Sequence, residues 1–580
     1  MYYLGIGKTL YQSSACLINK DEVTETELLL TERLSRKKAS GAWPETALEQ
    51  IASKLPGSEM IIAESSDVFS PKEKEQRLED KVPFLDRLKH KGLSRYSTLL
   101  NPQIQFVPHH LCHATAAIAL SPFTKCVVVV MDGAGTKKSD FPQLHSERDT
   151  PTQINGISSQ LDPNCPRVYE ECSVYLFDEG TLRCVLKRWS EFKKGRIQPR
   201  QYWNSGIGIS YEKCAEYIFN CNRSAGKVMG LAPFGKSKPV KDRIAYLDQL
   251  DWNQAFNGHG KSAWENSGRF LRFADIAASI QSEFEIDQEG LFSAIREAFP
   301  DYSYLIFTGG CALNCTGNGK MMKRSLFDRI YIPPFPGDES IGFGAAHHLY
   351  FNDQPSAWRP VPHENQRPYF GPISSIPNDP LIESIFSSFV VDRPASIIET
   401  CAKLLVQGKI IAWFQGRSES GPRALGNRSI LASPLLPDIK KILNHKIKFR
   451  EDFRPYGASC LHELAHEYFE VPTAFENPFM SFATPVRPNW KDPLKEVTHI
   501  DGTSRMQTVR RSQNPIFYDL IKEFGRLSGL FCLLNTSLNV MGEPIVENIE
   551  DAKRFFKNTP VDGLVIGKYL ITRSEQNGTS

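Results

Sequence analysis

No apolar run in this chain approaches the ~20 residues that a membrane-spanning helix needs, so no membrane segment is expected. The amino terminus lacks a basic stretch followed by an apolar core, and no secretory leader is expected. An excess of charge of one sign is missing too. Lys and Arg number 69 against 66 Asp and Glu, a net charge of +3. That is too little for a broadly basic surface, and nucleic acid is not an expected partner. Cysteine follows no framework, with 13 residues scattered in an odd count. Cys311 and Cys315 lie four apart, but no second pair completes a zinc site. Reduced thiols in a cytoplasmic protein are expected. A complete phosphate loop is also absent. Gly5-Ile-Gly7-Lys8-Thr9 ends like one, but Tyr2 stands where the first glycine is required.

What remains is an ordinary globular composition, 41% hydrophobic and 23% charged, spread over 580 residues. That length exceeds a single core and predicts two or three domains. The richest stretch is Phe106 to Gly135, which holds His109, His110 and His113. On a helix His109 and His113 share a face, being four apart. A buried strand, Cys126 to Met131, then delivers Asp132. One aspartate and two histidines suit Zn or Fe(II) better than Mg or Ca. An HxxxH pair alone reads equally well as a helix surface. Gly133 and Gly135 would let backbone approach a phosphate closely.

The chain opens with strand, turn, strand over residues 2–30, as the actin-like ATPase fold does, and residues 31–100 read as mostly helical. Met60 to Glu64 is a short strand, residues 138–166 a polar surface loop, and Glu179-Gly180 a hairpin turn. A helix is predicted around Ser210–Asn220, leading to an apolar turn flanked by glycines (Gly226 to Gly235). There Lys227 could neutralise a phosphate or simply sit on the surface. A strand at 303–307 ends in Thr308-Gly309-Gly310-Cys-Ala-Leu-Asn314, a glycine placement that α/β folds use for nucleotides. Asp338 is a candidate fourth ligand for the ion.

Proline and polar residues thicken between Pro355 and Pro380, and the domain boundary is placed there. This gives domains over 1–360 and 361–580. The second opens with a helix (Ala395 to Gln407) and a strand (Lys409 to Phe414). It carries four islands of Arg and Lys among Gly, Pro and Ser, a pattern suited to holding an anion.

The blocks HHLCHA, VVVMDGAG, GKVMGLAPFG, TGGCALN, FPGDESIGFGAA, GPRALGNRSILASP, IKFREDFRPYGAS, HIDGTSRMQTV and NTSLNVMGEPIV, in this order, resemble those of the NodU/CmcH-type carbamoyltransferases. The resemblance covers about residues 1–570. It implies an α/β and α+β chain: an actin-like ATPase (ASKHA, TsaD-like) domain followed by a YrdC-like domain. It further implies that the second domain makes carbamoyl-adenylate from carbamoyl phosphate and ATP, with Mg. The first would pass the carbamoyl group to a hydroxyl of a small natural product or sugar. Transfer to a macromolecule, or a nucleotide-binding role without transfer, is the alternative, and a homodimer stays open. His109, His113, Asp132 and Asp338 are implied ligands of Fe(II), with Zn or another divalent metal as alternatives. Lys38, Lys227, Gly309, Gly310 and Asn314 fall in the implied nucleotide region. Arg423, Lys448, Arg454, Arg505 and Ser537 match the adenylation site. The chain departs from the family at Gln12, Ala39 and Ala225, where two histidines and an acidic residue are usual. Glutamine orients a hydroxyl but is no base, which leaves His110 as the candidate substitute.

Overall fold

The computed structural model describes residues 1–9, 12–38, 44–54, 60–66, 104–138, 154, 165, 167–195, 202–372, 376 and 378–573. The first half contains two sheets of one design. In the first, β1 (Tyr2–Lys8), β2 (Ser13–Asn19), β3 (Glu27–Leu30), β4 (Met60–Ser66) and β5 (Ile104–Pro108) lie in the order β3-β2-β1-β4-β5. The second uses β6 (Lys125–Met131), β7 (Val168–Asp178), β8 (Thr181–Lys194), β9 (Tyr202–Asn204), β10 (Tyr304–Thr308) and β11 (Arg329–Tyr331). Its order is β11-β10-β6-β7-β8-β9. In both sheets an antiparallel run, three strands in the first and four in the second, has two parallel strands on the far side of its opening strand. This doubled pattern is the topology expected of an actin-like fold. The all-apolar run of β6, Cys126 to Met131, is fully buried, as a strand covered on both faces must be.

The helices His109–Ala119 and Ile341–Asp353 lie between the two sheets. Their shared core takes Tyr3, Cys16 and Ile18 from one sheet and Val128, Val130 and Tyr175 from the other. Small residues set the spacing. A Cβ on Gly344 would fall 1.8 Å from the Cys112 carbonyl oxygen, and one on Gly5 would fall 2.0 Å from that of Gly342. Only glycine permits this backbone contact, and the contact brings the start of the second helix to the histidines.

The second half is an eight-stranded mixed sheet. Its strands are β12 (Val390–Asp392), β13 (Ile411–Phe414), β14 (Arg428–Ala432), β15 (Gly457–Leu461), β18 (Met506–Val509), β19 (Cys532–Ser537), β20 (Gly563–Ile566) and β21 (Tyr569–Thr572). The order is β12-β21-β20-β13-β14-β19-β15-β18, and β16 (Thr484–Pro485) pairs with β17 (Thr503–Ser504) apart from it. The amphipathic helices Ile397–Val406 and Pro515–Ser528 bury Leu405, Phe517, Leu520 and Phe524 against Ile411 and Trp413.

The halves meet along a packed seam. Phe453 and Phe482 complete one core of the first half, and Leu425, Phe479 and Met480 complete another. Arg33, fully buried, donates to the Gly421 carbonyl (2.8 Å) and lies 3.5 Å from Glu547. Arg36 donates to the carbonyls of Pro544 and Ile545.

The expected hairpin turn is at Glu179-Gly180, both in the left-handed region (φ 43° and 93°), which twists the turn to match its strands. Other sequence expectations need adjustment. Of residues 31–100, the described part holds two helices, Thr31–Ser35 and Glu45–Lys54, and β4. Within the expected surface loop Ile154 is buried in a core. Gly226 to Gly235 is no turn: Ala225–Leu231 is helical, and Gly235 is needed because its Cβ would strike the Ala274 backbone at 2.1 Å. Ala39 lies outside the described residues.

Candidate functional site

His109 is the first residue of its helix, and its backbone N–H donates to Thr136 Oγ1 at 2.9 Å. One turn later His113 faces the same way. The two Nε2 atoms are 3.2 Å apart and lie 2.9 and 3.3 Å from Asp132 Oδ2. Asp338 Oδ1 completes the group at 3.7 and 3.8 Å. One ligand atom from each of these four residues lies within 4.8 Å of the others. Asp132 is aimed from behind: its Oδ1 accepts the backbone N–H of Gly133 (2.8 Å) and of Gly310 (3.1 Å). Gly309, at φ 89°, turns the chain directly over the Met131 carbonyl, and a Cβ on Gly310 would press Asp132 Oδ1 at 2.8 Å. Ser340 Oγ lies 3.0 Å from His113 Nδ1, which leaves Nε2 for the group. Burial alone would raise the Asp132 pKa, but hydrogen bonds from His109 and His113 hold it well below the carboxylate range. Burial and then the Asp132 charge push Asp338 up. Two imidazoles and two carboxylates, buried and convergent, fit a divalent transition metal.

His110 is not part of this group. It turns toward β7, where Nδ1 meets Ser173 Oγ at 2.8 Å, and burial lowers its pKa to about 3. That orientation and weak basicity overturn its expected role as substitute base. Gly135 serves packing: its Cβ would strike Glu170 and His110 within 2.8 Å. Gly133 would meet Glu212 Oε1 at 3.3 Å. Asn314 caps the helix Cys315–Arg324 through Gly317 N and pairs with Gln281, so its amide is committed to structure. Gln12 closes a tight turn on Thr9 (3.0 Å), and the Thr9 side chain hydrogen-bonds Asp338. The Gln12 Oε1 atom is buried with no partner among the described residues.

A second constellation lies where the second half meets the first. Burial, then the charges of Arg505 and Arg454, push the Arg423 guanidinium down to about 9. Burial brings Arg450 to about 10, with Arg454 and Arg505 adding to the effect. Arg454 is lowered chiefly by burial. From the first half, Lys38 is solvent-accessible. Desolvation lowers its pKa, against the charge of Glu32, and Arg454, Lys227 and Arg450 lower it further. Glu451 is the nearest counter-charge, 2.7 Å from Lys227 and 3.4 Å from Arg454. Lys227 is thus already paired. Arg423 reaches back to the Leu313 carbonyl in the TGGCALN turn at 3.4 Å, and Arg505 Nε is buried without a partner among the described residues. So many crowded guanidinium groups against one carboxylate call for an anion between them.

Lys448 behaves differently. Its ammonium meets four oxygens, the carbonyls of Ser537 and Asn539 and their side chains, at 2.5 to 3.2 Å. It braces the Ser537–Asn539 loop and has no donor to spare for a phosphate. Arg450 and Asn539 belong to this constellation and were missed from sequence, although their spacings from Lys448 and Ser537 (KxR, SxN) could have marked them.

Comparison with known proteins agrees. Residues 80–347 match the carbamoyltransferase N-terminus family and residues 402–573 the carbamoyltransferase C-terminus family. The chain is 30% identical over 599 residues to nodulation protein NolNO of Sinorhizobium fredii, covering 97% of this chain and 79% of the relative. It is 32% identical over 361 residues to the 3'-hydroxymethylcephem-O-carbamoyltransferase of Amycolatopsis lactamdurans, covering 60% of this chain and 65% of that one. Among solved structures, full-length HypF in its phosphate- and nucleotide-bound form aligns with a TM-score of 0.35 at 13% identity, over 62% of this chain and 56% of HypF. With both halves matched, this chain is an enzyme that belongs to the NodU/CmcH-type carbamoyltransferases.

Proposed function

We propose that the protein is an ATP-dependent O-carbamoyltransferase with two sites, the second half YrdC-like in activity and the first half carrying out transfer. The observation that carries this reading is the buried cluster of Arg423, Arg450, Arg454 and Arg505, in which burial first and then the charges of Arg505 and Arg454 lower the pKa of Arg423 to about 9. Carbamoyl phosphate and ATP are both polyanions, and a preorganised guanidinium cluster stabilises charge as phosphate and pyrophosphate depart. There water takes the phosphoryl group of carbamoyl phosphate, freeing inorganic phosphate and carbamate, and a carbamate oxygen bonds the α-phosphorus of ATP as its bond to the β-phosphate oxygen breaks and pyrophosphate leaves. Lys448 holds Ser537 and Asn539 in place for this site. The carbamoyl-adenylate so formed is water-sensitive, and the packed seam shields it.

In the first half, His109, His113, Asp132 and Asp338 would hold a divalent metal, which supplies charge to polarise the carbamoyl carbonyl. Gly309 and Gly310 place the backbone that orients Asp132. Gln12 offers a buried, unpartnered carbonyl oxygen that can accept from the hydroxyl of the acceptor and aim it. The acceptor oxygen bonds the carbamoyl carbon and AMP leaves, its phosphate taking the hydroxyl proton. The cephem relative's name specifies a hydroxymethyl acceptor, and a small-molecule hydroxyl is the acceptor class proposed here. The test is formation of AMP and pyrophosphate from ATP. It should depend on carbamoyl phosphate, and candidate hydroxyl compounds should gain a carbamoyl group by mass spectrometry. ATP turnover indifferent to carbamoyl phosphate would overturn the reading.

A further inference from the structure

Beside the His/Asp group, β7 and β8 bury two ion pairs next to each other. Consecutive glutamates on β7, Glu170 and Glu171, meet consecutive cations on β8, Lys187 and Arg188. The register between the strands slips at this point, between Glu170 and Cys172. Such bulges re-aim side chains next to a site. Glu171 shares Arg188 with Asp287 of the helix Phe270–Ala298. Glu170 lies against Gly135 and His110, where a Cβ on Gly135 would fall 2.7 Å from its Oε2. Buried ion pairs add little net stability. What these two do is fix the groups around them.

Glu170 holds the loop that follows Asp132. Its Oε2 accepts the backbone N–H of Thr136 at 2.9 Å. Its carbonyl accepts the Gly135 N–H at 2.8 Å, and its own N–H donates to the Thr136 carbonyl at 3.1 Å. The Glu171 carbonyl accepts the Asp132 N–H at 3.1 Å. Thr136 Oγ1 in turn accepts the N–H of His109 at 2.9 Å. That bond supplies a cap the helix lacks, because the residue before His109 is Pro108, which gives no side-chain cap. Lys187 reaches the next residue of the helix. It donates to Ser173 Oγ at 3.4 Å, and Ser173 Oγ lies 2.8 Å from His110 Nδ1. One buried ion pair thus ties down the first two residues of the helix, His109 through its backbone and His110 through its ring. His113 follows one turn later on the same rigid element.

We propose that Glu170 and Lys187 are positioning residues for the metal. They touch neither the ion nor a substrate. They fix Thr136 and His110, and so set where His109 and His113 stand relative to Asp132. This rests on reading His109, His113, Asp132 and Asp338 as metal ligands. Ligands already in place lose less freedom when the ion arrives, and partners outside the ligand set contribute about 10–100-fold to affinity.

The test is Co(II) binding to the full chain, read by chelator competition and by the visible ligand-field spectrum, beside urea unfolding of the metal-free protein. Glu170→Gln should bind Co(II) about tenfold or more weakly, because its amide accepts from Thr136 only by turning its NH2 toward the Lys187 ammonium. Thr136→Val should weaken binding by a similar factor, and the spectrum of both variants should change as the histidines shift. Thr136→Ser keeps the oxygen and should stay within about twofold of wild type. Val174→Ala controls for lost packing. Val174 is buried in the core on the same strand and takes no part in these bonds, so this variant should lose stability but keep its affinity and spectrum. The proposal is overturned if Glu170→Gln or Thr136→Val binds within about twofold of wild type. It is equally overturned if Thr136→Ser fails to restore binding, or if Val174→Ala weakens Co(II) as much as Glu170→Gln does. If Glu170→Gln does not fold, the Thr136 pair decides. Failure of the metal reading shows separately, as a wild type that binds Co(II) no more tightly than His109→Ala.

Discussion

Replacing Ser340 by alanine tests how His113 is held. The Ser340 hydroxyl sits 3.0 Å from His113 Nδ1, and on the other side of the ring Nε2 faces Asp132 at 3.3 Å. Ser340 is 1% exposed, so water cannot stand in for the lost oxygen. Partners of this kind on a ligating histidine are worth about 10–100-fold in metal affinity. At tenfold per 1.4 kcal/mol that is about 1.4–2.8 kcal/mol. The same change leaves a buried ring nitrogen unsatisfied, which costs about 1–3 kcal/mol of folding stability even without metal. Two measurements separate the effects: competition of Fe(II) or Zn against a chelator of known affinity under anaerobic conditions, and urea unfolding of the metal-free protein. Ser340→Ala should lower both quantities. Reduced stability with unchanged metal affinity would refute the reasoning, because the ring would then be a packing group and Nε2 no ligand.

Separating the two sites gives a second expectation. Asp338→Asn should keep carbamoyl-phosphate-dependent pyrophosphate release while product carbamoylation falls about 100-fold or more; Arg423→Ala should depress both by a similar factor, read in paired assays. The seam can be probed at Arg33, whose replacement by Met leaves the buried Glu547 carboxylate with the Ser418 hydroxyl but without the Arg33 guanidinium. Chemical denaturation should show a loss of about 3–5 kcal/mol, and no loss would mean the pair is dispensable. His347 supplies a pH test. Buried and donating to the Phe343 carbonyl, it has its pKa lowered from 6.5 to about 4. The unfolded chain binds its proton first, so its contribution to stability is complete above pH 6.5 and is lost as pH falls toward 4. The loss amounts to about 3 kcal/mol by linkage. Urea midpoints at pH 4.5 and 7 should converge in His347→Gln, and equal pH sensitivity in wild type and variant would count against this assignment.

The His/Asp group was legible because its logic is local. Two histidines four apart share a helix face, and Asp132 and Asp338 each follow a strand where an α/β fold opens its site. The same helical arithmetic speaks against His110, since one residue turns the side chain about 100° off that face, here into Ser173. Lys448 could not be judged from its neighbours. Its four oxygens come from Ser537 and Asn539, some ninety residues away in sequence, so a lysine in a basic island turns out to be a brace. The doubled sheet was implied by the family resemblance but not readable from the residues themselves. It is a repeat of strand order without a repeat of sequence, and long segments separate β3 from β4 and β9 from β10.

The glycine contacts between Gly344 and Cys112 have a mechanical consequence. His109 and His113 follow the last strand of the first sheet, Asp132 ends the opening strand of the second, and Asp338 precedes a helix wedged against both. An ion taken by all four is therefore a bolt through the joint between two lobes. It cannot be seated while the lobes are apart, nor can they part while it stays. Loading such an ion and fixing the angle between the sheets would be one event, and metal content would then set how rigid the first half is.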